Sequence, residues 1–320
     1  MSMRSYTAAS TLPVKLLQNA FVINRIRAGY IPPQHVQLNP TNRCNLKCDF
    51  CSCSERDKKT EFDLEKLLLV MAQFKKLGCQ AVTITGGGEP LLYPDINVLL
   101  KTLKDLQIQS GLVTNGTQFD KLVNYKDIVW CRISSSDDRE PVWEGIEDAV
   151  RKGPNIDWAF SHVLTSTPDW SRLCRLVSFA NKNNFTHIRI VADLLDIDLA
   201  SAQVKQARSH LYVQGVDDSK VIYQDRAEFV KGRKKCGISL LKPVVGADGG
   251  IYPCCGVQYA QDPPGRDMVE SMRMGTLDDI DRIWKEQIAF DGSICSRCYY
   301  DDYNSALDLL TMPLSHKEFI

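Results

Sequence analysis

From His35 to Ala192 the chain alternates short β-rich runs with helical stretches, and few folds accommodate that rhythm. Strands are predicted at 35–39, 81–85, 108–114, 127–134, 156–164 and 187–192. Between them, 62–77 carries Leu64, Leu67, Leu68 and Met71 at helical spacing and stops at Gly78. Segments 95–106, 142–152 and 170–181 also read as helices. Strand–helix alternation implies βαβ units and a parallel sheet, hence an α/β fold. Six such units suit a partial (β/α)6 parallel barrel, with an open doubly wound sheet as the alternative. In both, chemistry belongs at the carboxyl ends of the strands.

After Asp198 the rhythm stops. Residues 199–235 read as a helix plus a strand, and from Cys236 the chain is rich in Gly, Pro and Cys. The expected organisation is an N-terminal extension (1–34), a barrel (35–200), a connecting segment (201–235), a small Cys-rich domain (236–302) and a C-terminal helix or tail (303–320). In the extension, Val14, Leu17, Ala20 and Phe21 recur at helical spacing and predict a loosely amphipathic arm over 14–26. The 39 basic and 39 acidic side chains cancel, which argues against a broad nucleic-acid footprint. No apolar run approaches the ~18 residues of a membrane span, and none resembles a signal-peptide core. A cytoplasmic location follows as the expectation, with reduced cysteines.

There are twelve cysteines in the 320 residues. Closely spaced, reduced cysteines point to metal or catalysis. Cys44, Cys48 and Cys51 form C-x3-C-x2-C in the loop after the first strand. Three thiolates suit zinc or an iron–sulfur cluster. A zinc site normally closes with four ligands, and Cys53 could supply the fourth. Three ligands on a cubane leave one iron without a protein ligand.

The run Asn39-Pro40-Thr41-Asn42-Arg43-Cys44-Asn45-Leu46-Lys47-Cys48-Asp49-Phe50-Cys51 resembles the radical S-adenosylmethionine (SAM) superfamily, including the aromatic Phe50 before the third cysteine. The resemblance implies a 4Fe–4S cluster whose open iron chelates SAM, and reductive cleavage of SAM to a 5′-deoxyadenosyl radical that abstracts hydrogen from substrate. It also implies an external one-electron donor such as flavodoxin or ferredoxin.

Gly86-Gly87-Gly88-Glu89-Pro90 follows the second strand. A glycine run can cradle phosphate, but no Lys-Ser/Thr pair follows, so this is no P-loop. Gly87, Gly88, Glu89 and Pro90 match the family's Gly-Gly-Glu-Pro, which implies that this backbone and the Glu89 region receive the SAM ammonium. Asn115, at the end of the third strand, and Ser134, at the end of the fourth, stand at family-like positions near SAM. Strand alternation leaves open which of Ser134, Ser135 and Ser136 faces inward. Arg189 is either a carboxylate partner or a solvated side chain. His162 and His187 read as interior histidines more readily than as catalytic bases.

Cys236, Cys254, Cys295 and Cys298 give C-x17-C-x40-C-x2-C, enough to close a zinc site or a complete cubane. Asp248-Gly249-Gly250 predicts a hairpin turn before a ligand-bearing strand. This stretch resembles the Twitch/SPASM auxiliary-cluster module and is similar to that of aminocyclitol dehydrogenase and epimerase-type members, which implies one auxiliary 4Fe–4S cluster. Cys79, Cys131 and Cys174 read as packed thiols, and Cys53 flanks the first cluster. Cys255, beside a ligand, would point to the opposite face of a strand, toward the cavity, as a candidate hydrogen-atom donor.

The sequence therefore predicts an oxidoreductase or isomerase that dehydrogenates or epimerises a small sugar- or aminocyclitol-like molecule. Modification of a ribosomally made peptide is the alternative, and a zinc-stabilised scaffold without activity is the remote one. Asp137, Asp138, Arg139 and Glu140 form a polar loop that could meet a polyhydroxylated or cationic substrate, or simply be solvated.

Overall fold

The computed structural model describes residues 14–226, 228–261, 270–313 and 315. The first part of the extension (1–13) and the end of the tail (316–320) lie outside the described residues. Seven parallel strands follow one another across a single sheet: β1 (His35–Leu38), β2 (Ala81–Ile84), β3 (Gln109–Thr114), β4 (Trp130–Ser136), β5 (Asp157–Leu164), β6 (His187–Ala192) and β7 (Val221–Gln224). The strand expected in 199–235 is β7, which joins the sheet beside β6. On the other edge, β8 (Val244–Val245) runs parallel to β1, and β9 (Gly250–Tyr252) and β10 (Gly275–Thr276) continue antiparallel. The Cys-rich segment thus extends the sheet of the strand–helix units.

Ahead of the sheet stand α1 (Val14–Leu17) and α2 (Ala20–Arg27). The connecting helices are α3 (Leu64–Leu77), α4 (Ile96–Asp105), α5 (Trp143–Lys152), α6 (Trp170–Lys182) and α7 (Ile197–Val213). Local signals set their ends. Asp63 accepts the Lys66 amide at 2.9 Å to start α3, and Gly78, at φ +113°, ends it in the left-handed conformation that glycine tolerates. Leu67, Val70, Met71 and Phe74 form its buried face. All six residues of β6 are buried, as befits a strand covered on both faces. On the helical side, Phe160 stacks on Phe185 with ring centroids 4.6 Å apart, and Trp143, Trp158 and Phe179 extend this aromatic core.

Two expectations need correction. The arm is not one helix, because Asn19 caps α2 by accepting the Val22 amide at 3.1 Å and so breaks the run. Its buried face is Leu16, Val22 and Ile26, whereas Leu17 and Phe21 are exposed. The fourth strand also starts three residues later than predicted, because Tyr125–Asp127 forms a 3-10 turn. The remaining helices are α8 (Ile238–Leu241), α9 (Ile280–Lys285) and α10 (Asp301–Thr311). Phe74 of α3 meets Trp284 of α9 edge-on at 5.2 Å, fastening the C-terminal segment to the helical layer.

Candidate active site

The loop after β1 presents Cys44, Cys48 and Cys51, all partly exposed, and all twelve cysteines are free thiols. The Cys51 amide donates to the Cys48 carbonyl at 3.0 Å. Burial raises Cys44, and raises Cys48 to about 11, and each also feels the charge of Cys51. A hydrogen bond from Cys53 pulls Cys51 down to about 6. Cys53 itself is buried beside the loop, its amide 3.4 Å from the Cys51 sulfur and its thiol 3.4 Å from Gln258 Oε1.

The turn after β2 is zipped onto this loop. The Gly88 amide donates to the Thr41 carbonyl (2.9 Å) and the Glu89 amide to the Arg43 carbonyl (2.8 Å). A Cβ on Gly87 would overlap Asn42 Oδ1, and one on Gly88 would overlap the Arg43 carbonyl. The close approach of two loops thus demands glycine here. Glu89 is 2% exposed and accepts from Thr114 Oγ1 (2.6 Å), the Leu91 amide (3.0 Å) and the Asn115 amide (2.7 Å). Burial pushes its carboxyl up, against those bonds. Asn115 Nδ2 donates to Asn45 Oδ1 at 3.0 Å, so the end of β3 is tied to the cysteine loop.

A cavity of about 220 Å³ opens beside the loop, with Phe50, Cys51 and Ser52 in its wall. The strands contribute alternate residues: Arg132 and Ser134, Ser161 and Val163, Arg189 and Val191. Ser134 therefore faces the cavity. Ser135 turns away, its Oγ 3.0 Å from His162 Nδ1, and the Ser136 hydroxyl donates to Asp138. His162 is fully buried, and His187 is pushed down to about 3 by burial, then by Arg132 and Arg189. Arg189, 9% exposed, is no solvated surface residue.

The polar loop 137–140 does not offer its carboxylates to the cavity. Asp137 accepts the Thr165 amide (2.8 Å) and the Asp169 amide (3.1 Å). Glu140 accepts from Trp143 Nε1 (2.8 Å), Arg172 Nε (3.0 Å) and Arg175 Nη2 (3.0 Å). These bonds brace β4 against α5 and α6. Arg139 turns inward, its Nη2 donating to the Ser134 carbonyl at 2.9 Å.

Cys236, Cys254, Cys295 and Cys298 line a second, enclosed cavity together with Gly232, Phe290, Tyr299 and Tyr300. Backbone bonds pin its walls: Cys236 to the Phe290 carbonyl (3.0 Å), Gly232 to that of Cys295 (2.9 Å) and Cys298 to that of Val230 (2.7 Å). A Cβ on Gly232 would overlap the Gly292 carbonyl. Asn304 Nδ2 lies 3.9 Å from the Cys236 sulfur. Burial pushes Cys236 up to about 12 and Cys295 to about 11, and Cys298 raises both. A positive inorganic centre would reverse that cost. Among the described residues no three His, Cys, Asp or Glu side chains converge on a point that would hold a single metal ion. Thiols spaced around a cavity suit a polynuclear core.

The expected strand geometry of Cys255 needs correction. β9 ends at Tyr252, and Cys254 and Cys255 sit on the turn beyond it. The two sulfurs still part company, for Cys254 lines the four-cysteine cavity while Cys255 Sγ lies 2.9 Å from the Tyr300 hydroxyl. The Asp248–Gly250 turn is as predicted, with Gly249 at φ +73°. Sequence reading missed Arg132, Arg226, Gln224 and Tyr300. Only Arg132 carried a usable signal, since it stands two residues before Ser134 on the same face of β4.

Among the described residues no helix is long and apolar enough to cross a membrane. Residues 38–164 match the family model described as "Radical SAM superfamily". The chain is 28% identical over 141 residues to a probable GTP 3′,8-cyclase of Thermococcus kodakarensis, covering 38% of this chain and 45% of that protein. It is 33% identical over 92 residues to the PqqA peptide cyclase of Gluconobacter oxydans, covering 28% and 25%. The chain thus spans less than half the length of these curated relatives. Among solved structures, Streptococcus suis SuiB bound to S-adenosylmethionine aligns with TM-score 0.57 and 18% identity over 86% of this chain and 71% of that one. anSMEcpe with bound AdoMet and the Cp18Cys peptide aligns with TM-score 0.51 and 15% identity over 90% and 86%. These likenesses share the α/β fold. The match to the radical SAM superfamily is carried by residues 38–164.

Proposed function

We propose that this protein is a radical SAM oxidoreductase or isomerase with two 4Fe–4S clusters, acting on a small molecule. The observation that carries the reading is the shared cavity, where Phe50, Cys51 and Ser52 of the cysteine loop meet Ser134, Ser161 and Arg189 of the strands. Cys44, Cys48 and Cys51 are the ligands assigned to the SAM-binding cluster, and Cys236, Cys254, Cys295 and Cys298 those of the auxiliary cluster. Gly87, Gly88, Asn115, Ser134 and Phe50 border SAM. The Glu89 region belongs to the same SAM-binding set, and its carboxylate also fixes Thr114 and the Asn115 backbone. When bound, cluster and SAM supply a 5′-deoxyadenosyl radical for hydrogen abstraction.

A cavity of about 220 Å³ favours a small substrate, dehydrogenated or epimerised, with an external flavodoxin- or ferredoxin-type electron donor. The domain division 35–200 and 236–302 and a cytoplasmic location belong to the same reading. The peptide named with anSMEcpe and the peptide cyclase among the relatives favour a second reading, modification of a peptide. Anaerobically purified protein should contain about eight irons and, with dithionite and SAM, release 5′-deoxyadenosine. Zinc in place of iron, or no 5′-deoxyadenosine, overturns the proposal.

A further inference from the structure

Three arginines, from two strands and the segment after a third, converge on the cavity. Arg132 lies in β4, Arg189 in β6 and Arg226 just beyond β7, and all three line the wall. Their levels follow from the register. Ser134 is opposite Ser161, and Ser161 opposite Arg189, so Arg189 is level with Ser134. Arg132 is two residues earlier on β4, opposite Ala159, which is itself opposite His187, and so sits roughly 7 Å deeper. Gln224 Oε1 accepts from Arg189 Nε at 3.0 Å and from Arg226 Nη2 at 3.5 Å, holding two like-charged heads together. Arg226 Nε is buried and has no hydrogen-bond partner among the described residues. A fourth cation, the Lys242 ammonium, sits 5.5 Å from the centre of the Tyr300 ring.

Besides the other arginines, Arg132 and Arg189 have Tyr300 and Cys255 as electrostatic neighbours. Burial, then the other guanidiniums, pushes Arg189 down, and burial followed by Arg226 pushes Arg132 down to about 10. Asp193 is the carboxylate in the wall, and its Oδ1 accepts the Leu195 amide at 2.9 Å. Planar guanidinium forks fit oxyanions bidentately.

We propose that Arg132, Arg189 and Arg226 form an oxyanion site for a phosphate or carboxylate group of the substrate, which makes the substrate of this enzyme an anion. The inference rests on the radical SAM reading for the cavity's role. SAM also brings a carboxylate, but a different cation stands beside the cysteine loop. Arg139 is within electrostatic reach of Cys48 and Glu89, and its Nε and Nη1 have no partner among the described residues.

The test is calorimetric titration of anaerobic, iron-loaded protein with pyrophosphate, malonate and SAM separately. The wild type should bind pyrophosphate or malonate, the tighter one naming the oxyanion class. Arg132→Gln/Arg189→Gln should weaken that binding at least about tenfold and leave SAM affinity within about twofold. Arg226→Gln should weaken it in the same direction if the double variant does not fold. The inference is overturned if the wild type binds SAM but neither anion, or if the variants bind the anions as the wild type does. It is equally overturned if they lose SAM affinity instead, which assigns the guanidiniums to the SAM carboxylate. A wild type that holds iron but no SAM sinks the functional reading instead.

Discussion

The hydroxyl of Tyr300 lies 2.9 Å from the sulfur of Cys255, one residue from the thiol of Cys254 that lines the four-cysteine cavity. This places a hydrogen-bearing sulfur, with an O–H beside it, at the joint between the two candidate sites. If Cys255 returns a hydrogen atom to a substrate radical, Cys255→Ala will still form 5′-deoxyadenosine but will lose the solvent-derived hydrogen in its product. Tyr300→Phe, which keeps the thiol, should slow turnover by about two- to tenfold, the worth of one hydrogen bond. Normal deuterium incorporation by Cys255→Ala in D2O would remove the cysteine from the reaction.

The two sets of cysteines should separate cleanly. Cys51→Ala is expected to lose about four irons and with them all SAM-dependent 5′-deoxyadenosine. Cys298→Ala should also lose about four irons, yet keep uncoupled SAM cleavage. Iron and sulfide analysis beside chromatographic detection of 5′-deoxyadenosine reads both. Equal loss of SAM cleavage in the two variants would contradict the division of labour.

Gly88→Ala probes the joint between the β2 turn and the cysteine loop. Its Cβ would meet the Arg43 carbonyl, so the backbone must shift, at about 1–3 kcal/mol. Urea titration of anaerobic protein should show the lower midpoint, together with weaker SAM binding. An unchanged midpoint would mean that the two loops do not need their close approach.

Stability should fall on mild acidification. His35 and His187 are both pushed down to about 3, chiefly by burial, with Lys242 adding to the shift of His35 and Arg132 to that of His187. The unfolded chain takes up those protons near 6.5, while the folded chain stays unprotonated down to about 3. Stability is therefore complete above about 6.5 and declines below it, by up to about 1.4 kcal/mol per pH unit for each histidine. Urea midpoints between pH 7.5 and 5.5 check the sign, and His187→Gln should flatten the slope.

The strand–helix alternation made β1 to β6 legible, because strands buried on both faces and helices with one apolar stripe leave periodic traces. The seven cysteines that line or flank the two sites were legible through their spacing. The arginine cluster was not. Arg132, Arg189 and Arg226 are nearly a hundred residues apart end to end, and only the parallel register brings them to one wall. Nor does a dipeptide such as Cys254-Cys255 reveal whether it lies in a strand or on the turn after one.

The pairing of β8 with β1 has a consequence for biosynthesis. Gln37 and Leu38 pair with Val244 and Val245, about two hundred residues downstream, so the β1 edge stays open until most of the chain has left the ribosome. During that interval the cysteine loop hangs from a strand with one open edge. The nascent chain is then most exposed to wrong strand pairing and to oxidation of Cys44, Cys48 and Cys51. Synthesis at low temperature with iron supplied from the start should therefore raise the yield of loaded protein more than reconstitution after purification.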